Sequence, residues 1–168
     1  MHRLIWLLLA LAPAAGAQLN LQLLPELGVE AHFDYESVAA SNGSGLPAGS
    51  GSAAQGKQIY LSQCAACHGL DGRLAGNALV GGEGTLSSTQ ALKTVGSYWP
   101  YATTVFDYIQ RAMPYGNEKS LSDQEVYAVT AYVLHLNDLV AGDVEVSAAT
   151  LAEIQMPNRD GFRESPMR

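Results

Sequence analysis

The chain contains two cysteines, Cys64 and Cys67, in the stretch YLSQCAACHGLDG, and His68 directly follows the second. Two thiols at this spacing can form a redox disulfide, supply half of a zinc site, or add to the two vinyl groups of a haem. A closed zinc site needs four ligands, and the sequence has no second cysteine pair. A thioredoxin-like disulfide belongs beside a βαβ pattern, which the flanking sequence does not show. The Cys-x-x-Cys-His order is the signature of covalent haem attachment. The sequence therefore predicts one haem c, linked through Cys64 and Cys67, with His68 as an axial ligand of the iron.

The second axial ligand decides whether the iron carries electrons or binds small molecules. Met113 ends an amphipathic segment directly before Pro114, whereas Met156 lies in a tail without periodicity. A ligand that stays fixed during redox cycling belongs on a rigid, packed segment. We therefore predict Met113 as the second ligand. Met156, a histidine such as His32 or His135, and an open site are the alternatives.

Polar groups near the predicted ligands are candidates for binding the haem propionates. Tyr98 and Trp99 could donate hydrogen bonds through their phenol and indole groups, or they could pack against the haem edge. Arg73, Lys93 and Arg111 could each pair with a propionate, and the sequence does not rank them.

Helices must position these residues, and three Ser-x-x-Gln/Glu capping boxes mark where helices begin. The stripe Val126, Val129, Val133 and Leu136 predicts the apolar face of the last helix. The glycine-rich stretch 69–86 reads as a loop. The sequence predicts an all-α fold in which helices surround one cofactor. Four helices are predicted: one from residue 53 to the haem motif, one over 88–95, one that ends at residue 113, and one over 123–137.

The N-terminus has the pattern of an export signal. Met1–Arg3 is basic, the apolar run LIWLLLALA is too short to span a bilayer, and Ala15–Ala17 fits a small-residue cleavage site. We predict cleavage after Ala17, a periplasmic or otherwise exported mature protein, and no membrane anchor after cleavage; an uncleaved anchor is the alternative. The predicted organisation is a signal peptide at 1–17, an N-terminal extension and Gly/Ser-rich linker at 18–52, the haem domain at 53–140 and a C-terminal extension at 141–168.

The charge balance restricts the partners. Sixteen Asp and Glu face nine Lys and Arg, which gives a formal net charge of −7. This acidity argues against nucleic acid and against an anionic membrane surface as partners. The sequence also shows no nucleophile–base pair and no carboxylate pair at a defined spacing, so we expect no catalytic site in this chain.

Five stretches resemble one group of c-type cytochromes: CAACHGLDG, NALVGG, TVGSYWPYATTVFDYIQRAMPYG, LSDQEVYAVTAYVLHLN and the late MPNRDGF. Together they cover about Leu46 to Phe162. The chain is similar to the monohaem cytochrome c subunit of bacterial sulfite dehydrogenase. It also resembles the related cytochrome subunit of the sulfur dehydrogenase in thiosulfate-oxidising systems. The single CxxCH favours the first type, because the second commonly carries two haem domains.

The resemblance implies a small cytochrome c-like fold with helices around one covalently bound haem. Carried over to this sequence, Cys64 and Cys67 are the thioether links, and His68 and Met113 are the axial ligands. Many class I cytochromes have a proline where this chain has Asn77, and the carbonyl of that residue accepts a hydrogen bond from the proximal histidine. We expect the Asn77 carbonyl to do the same.

The implied function is the transfer of one electron at a time. The donor would be a molybdenum-containing sulfite dehydrogenase subunit or another dehydrogenase, and the acceptor a downstream cytochrome or oxidase. A molybdenum centre of the sulfite-oxidising type needs a protein cysteine, and both cysteines here are committed to haem, so catalysis would lie in a separate chain. A soluble shuttle for an unrelated dehydrogenase and a haem-based ligand-binding or sensor protein are the alternatives.

Overall fold

Helices provide most of the regular structure in residues 38–163, the part of the chain that this computed structural model describes. The predicted signal peptide, most of the predicted N-terminal extension and residues 164–168 lie outside the described residues. The all-α prediction is confirmed, with the addition of two strands of three residues each. In chain order the elements are β1 (Ser50–Ser52), α1 (Ala53–Gln63), α2 (Ala65–His68), α3 (Ala102–Ala112), α4 (Asp123–Leu136), β2 (Glu145–Ser147) and a 3₁₀ turn (Leu151–Glu153).

Two of the three predicted capping boxes are present and begin α1 and α4. The Ser52 hydroxyl accepts from the Gln55 amide at 3.4 Å, and the Gln55 side chain accepts from the Ser52 amide at 2.9 Å. Ser122 and Glu125 make the same reciprocal pair, at 3.4 and 2.8 Å. The backbone hydrogen bond from Ser122 lowers the pKa of the Glu125 carboxyl. Each box satisfies amides that a helix start otherwise leaves unpaired, which is why both starts could be predicted.

The third box does not begin a helix, so the predicted helix over 88–95 is wrong. This segment forms turns in which side chains take the backbone partners that a helix would use. The Ser88 hydroxyl accepts from the Gln90 amide at 3.1 Å, and the Thr85 hydroxyl accepts from the Leu92 amide at 3.1 Å. Residues 88–93 are exposed and therefore present no apolar face to hold a helix on the core.

The centre of the fold is the crossing of α1 and α4. Gly56 of α1 lies so close to Ala128 of α4 that an added Cβ would overlap the Ala128 carbonyl oxygen. Gly51 of β1 approaches the Ala128 amide in the same way. The predicted apolar stripe of α4 is too narrow, because every residue from Val126 to Leu134 is buried. Helix α1, strand β1 and helix α3 all pack on α4, and they cover it on several sides.

The segments on either side of the haem domain pack against it. Strands β1 and β2 pair antiparallel, with Gly51 opposite Val146. Beyond β2, Leu151 and Met156 are buried in the same core as Tyr60 and Phe106. The linker and the tail, which the sequence indicated to be extended or aperiodic, are therefore ordered by contacts with each other and with the helices.

The MPNRDGF stretch of the tail folds back onto the stretch SYWPY that precedes α3. The Asn158 side-chain amide donates to the Tyr98 carbonyl at 2.7 Å. The Phe162 ring meets the Tyr98 ring edge-on, with centroids 5.2 Å apart, and the Arg159 guanidinium lies 5.5 Å from the centroid of the Tyr101 ring. We call residues 156–162 the C-terminal strap. Within residues 38–163, no helix is both long enough and apolar enough to cross a membrane.

Candidate haem site

A cleft of about 390 Å³ lies between α2, α3, α4 and the loops that follow α2 and α3. Five of the six predicted site residues line this cleft: Cys64, Cys67, His68, Trp99 and Met113. Tyr98, the sixth, is not among the lining residues. The cleft therefore brings together two thiols, an imidazole and a thioether that are up to 49 residues apart in the sequence.

The Cys-x-x-Cys-His motif forms a single helical turn. Cys64 ends α1 and caps the start of α2, and the amides of Cys67 and His68 both donate to the Cys64 carbonyl, at 3.1 and 3.0 Å. Cys64 is half-buried and Cys67 is exposed. Burial, and to a smaller extent the neighbouring Cys67, raises the pKa of the unlinked Cys64 thiol to about 11. The turn presents both sulfur atoms and the imidazole to one cleft.

The His68 ring is held by a backbone carbonyl on the glycine-rich loop. Its Nδ1 lies 2.7 Å from the Asn77 carbonyl oxygen. A carbonyl can only accept, so Nδ1 carries the proton and Nε2 keeps its lone pair for a metal. This is the hydrogen bond expected for Asn77, and a ligand imidazole typically has such a partner on its second nitrogen.

The glycine-rich loop after His68 is held in place by two further residues, for which the sequence gave no such role. The phenol of Tyr60 on α1 donates to the Gly69 carbonyl at 2.8 Å, directly after His68. The Asn137 side-chain amide, at the end of α4, donates to the carbonyls of Leu79 (3.2 Å) and Val133 (2.9 Å). Tyr60 precedes Cys64 by one helical turn, a spacing that puts both on one face of α1. This spacing could have indicated that Tyr60 lies beside the haem motif. Asn137 meets the loop across 58 residues of sequence, and no local pattern indicates that contact.

Replacing Tyr60 by phenylalanine should lower the free energy of unfolding by about 1 kcal/mol, because the Gly69 carbonyl loses its donor. Burial, with smaller contributions from Cys64, Tyr132 and Asp71, raises the pKa of the Tyr60 phenol to about 12. The stabilisation from Tyr60 is therefore full below pH 10, the ordinary pKa of the phenol, and is lost as the pH rises toward 12. Urea unfolding of the haem-bound protein measures the change.

The matched control for Tyr60→Phe is Tyr115→Phe, since Tyr115 is 89% exposed and its loss of a hydroxyl should change stability by less than about 0.5 kcal/mol. Equal stability of the two variants would show that the Tyr60 hydrogen bond does not stabilise the loop.

Met113 lies where α3 ends. Its backbone is extended, its amide donates to the Ile109 carbonyl at 3.1 Å, and its side chain lines the cleft. Met156 is buried in the core and does not line the cleft. His135 lies outside the lining as well, with its Nδ1 3.1 Å from the Val140 carbonyl oxygen. His32 lies outside the described residues. Of the candidate second ligands within residues 38–163, Met113 alone lines the same cleft as His68.

The walls of the cleft are apolar. Helix α3 contributes Val105 and Ile109, and α4 contributes Val129 and Val133. Trp99 lies half-buried at the wall, with its ring 5.5 Å from the Tyr108 ring in an edge-on arrangement. In residues 38–163 no group of three or more His, Cys, Asp or Glu side chains is placed to hold a metal ion. Two thiols on one turn, one imidazole and one thioether in an apolar cleft fit a covalently attached haem.

A helical fold around a cleft that carries the Cys-x-x-Cys-His turn defines a c-type cytochrome. The chain belongs to the cytochrome c family, whose family model matches residues 53–137. Its cofactor is a covalently bound haem c, which confirms the prediction made from the motif.

Two relatives connect the chain to sulfur oxidation. A chain in the crystal structure of the sulfane dehydrogenase SoxCD from Paracoccus pantotrophus is 33% identical, with a TM-score of 0.75, over 92% of this chain and 73% of that chain. A thiosulfate dehydrogenase from Stutzerimonas stutzeri (strain A1501) is 34% identical over 93 residues. That match covers 52% of this chain and 28% of the enzyme, so this chain matches little more than a quarter of it. The resemblance to cytochromes of sulfur oxidation is confirmed at the level of the family and the related proteins.

Proposed function

We propose that this chain is an exported single-electron carrier that accepts electrons from a dehydrogenase acting on a sulfur compound. Cys64 and Cys67 would hold the haem through thioether bonds, and His68 and Met113 would supply the ligands of its iron. The observation that carries the proposal is the cleft itself, which places the Met113 thioether in the same apolar space as the Cys-x-x-Cys-His turn.

The ligands set what the site does. Bound haem iron supplies a one-electron couple, and the protein tunes it through its ligands and surroundings. The Met113 thioether is neutral and favours the ferrous state, which raises the reduction potential. The Asn77 carbonyl orients the His68 ring, and the apolar residues of α3 and α4 limit the access of water. Such a site carries electrons, and the substrate chemistry belongs to a partner.

The partner that we propose is a molybdenum-containing sulfite dehydrogenase. Support comes from the likeness to a chain of the sulfane dehydrogenase SoxCD over 92% of this chain and from the single Cys-x-x-Cys-His motif. Oxidation of sulfite to sulfate takes one oxygen atom from water and releases two protons and two electrons, and the dehydrogenase would pass the electrons on. One haem takes one electron, so this chain would accept the two electrons one at a time and pass each to a downstream cytochrome or oxidase. A sulfane dehydrogenase is the second candidate, because the solved relative carries that name.

Mixing the oxidised cytochrome with a molybdenum sulfite dehydrogenase should lead to rapid haem reduction once sulfite is added. Stopped-flow absorbance of the haem follows the reaction. Two controls accompany it: sulfite without the dehydrogenase, and the dehydrogenase with thiosulfate in place of sulfite. The chain is acidic, so a transient encounter would slow as salt rises, provided that the partner presents a basic surface.

The outcomes of this assay separate the two candidates. Reduction that requires both the dehydrogenase and sulfite supports the sulfite partner. A catalytically active sulfite dehydrogenase that leaves the haem oxidised contradicts it. Reduction by a sulfane dehydrogenase in the same assay would then identify the second candidate as the donor.

A further inference from the structure

The lining of the haem cleft contains one basic residue and no acidic residue. Among its lining residues, Lys93 is the single lysine or arginine, and no aspartate or glutamate lines it. The other basic residues of the described part lie outside the lining: Lys57, Arg73, Arg111, Lys119, Arg159 and Arg163. The sequence offered Arg73, Lys93 and Arg111 as equal candidates for pairing with a propionate. Of these three residues, only Lys93 lines the cleft.

Lys93 stands on a segment that is firmly held. The next residue, Thr94, is buried; its amide donates to the Ser97 hydroxyl at 2.9 Å, and its own hydroxyl donates to the Gly81 carbonyl. The Ser97 hydroxyl in turn donates to the Leu92 carbonyl at 2.6 Å. The backbone on both sides of Lys93 is therefore fixed, which limits the positions that its side chain can reach.

The ammonium group lies on an aromatic ring. Lys93 Nζ is 5.0 Å from the centroid of the Tyr98 ring, a distance at which the face of the ring attracts a cation. Within residues 38–163, Lys93 forms no ion pair with a carboxylate. The C-terminal strap supports the ring, because Phe162 packs on its edge and Asn158 binds the Tyr98 carbonyl.

We propose that Lys93 binds a haem propionate and that Tyr98 positions Lys93 from outside the cleft. A haem brings two carboxylates, and a carboxylate that is partly withdrawn from water needs a cation or hydrogen-bond donors. Lys93 is the lining residue that can supply the charge. This assigns to Tyr98 a contact with the ammonium, in place of the direct hydrogen bond to a propionate that its hydroxyl suggested. The inference rests on the haem site of the proposed function and not on the identity of the electron donor.

Lys93→Gln tests the proposal through two spectroscopic measurements on the isolated haem-bound protein. A positive charge near the haem stabilises the reduced state, so its removal lowers the ratio of reduced to oxidised protein at a fixed ambient potential. The expected loss is on the order of tenfold, which corresponds to about 59 mV for a one-electron couple. The propionate bending bands in the resonance Raman spectrum should shift as well. Lys93→Arg should restore both readings, and Lys57→Gln, at an exposed position of α1, should change neither.

Two Tyr98 variants separate the roles of ring and hydroxyl. Tyr98→Phe keeps the ring and should match the wild type, whereas Tyr98→Leu should shift both readings in the same direction as Lys93→Gln. If Lys93→Gln does not yield haem-bound protein, the comparison of Tyr98→Leu with Tyr98→Phe alone tests the proposal. Unchanged propionate bands in Lys93→Gln, or bands that shift in Tyr98→Phe as much as in Tyr98→Leu, would overturn the proposal. Because no partner is present, failure here is distinct from failure in the sulfite assay.

Discussion

Replacing Met113 by alanine should lower the reduction potential by on the order of a few hundred millivolts, since axial ligands alone move haem potentials over about 0.8 V. The thioether stabilises ferrous iron, and water or hydroxide in its place favours ferric iron. The oxidised wild-type protein should show the weak long-wavelength band of sulfur-to-iron charge transfer, and the variant should lose it. Potentiometric titration and absorbance spectroscopy measure the two effects.

Met156→Ala is the control for Met113→Ala. Met156 is 3% exposed and packed in the core, so its truncation should lower stability by about 2–5 kcal/mol while leaving the charge-transfer band and the potential unchanged. Rapid binding of carbon monoxide to the ferrous wild type at neutral pH would contradict the assignment of Met113. It would favour the alternative of a ligand-binding or sensor protein, in which the sixth position is open.

Gly56→Ala should destabilise the fold by at least about 3 kcal/mol. Helix propensity alone predicts the opposite, because alanine in a helix is favoured over glycine by about 1 kcal/mol. The crossing decides the sign: the added methyl group would overlap the Ala128 carbonyl, which is main chain and cannot rotate away. Helices α1 and α4 would have to separate, and the buried rings of Tyr60 and Tyr127 would lose contacts.

Gly76→Ala provides the comparison for Gly56→Ala. Gly76 has φ +88 and nothing within 4 Å of an added Cβ, so it reports the cost of left-handed backbone alone, about 1–2 kcal/mol. Urea unfolding of both variants, followed by circular dichroism, gives the difference. A Gly56→Ala protein as stable as the wild type would show that the helix crossing tolerates a wider separation.

The parts of the fold that could be predicted are those set by neighbouring residues. Capping at Ser52 and Ser122 depends on a residue three positions further on, and the end of α3 depends on the proline that follows Met113. The failure at 88–95 has the same origin, since Ser87-x-x-Gln90 matches the local pattern but residues 88–93 are exposed and present no apolar face to the core. Burial of α4 on several sides depends on elements that are distant in sequence. The apolar stripe predicted from the sequence therefore included too few of the buried residues of α4.

The residues of the candidate site likewise fall into those that local sequence indicates and those that depend on distant contacts. Cys64, Cys67 and His68 could be predicted because one helical turn carries them all. The place of Met113 in the lining of the cleft could be predicted because the Met-Pro break ends an amphipathic helix. The positions of Lys93 and Tyr98 relative to the cleft could not, because they depend on the loop that Thr94 fixes and on a strap some 60 residues away in sequence. The sequence suggested both aromatics of Tyr98-Trp99 for one role, and the fold places only Trp99 in the lining.

The burial of Cys64 has a consequence for the order of maturation. Folding raises the pKa of the Cys64 thiol to about 11, so at neutral pH its reactive thiolate is scarcer in the folded chain than in an open one. The turn that carries both thiols is local to residues 64–68, whereas the apolar walls come from α3 and α4, which begin at Ala102 and Asp123. Local contacts form before distant ones. The chain can therefore offer the Cys64 thiol while it is still reactive, and linkage to the haem is favoured before α3 and α4 complete the cleft.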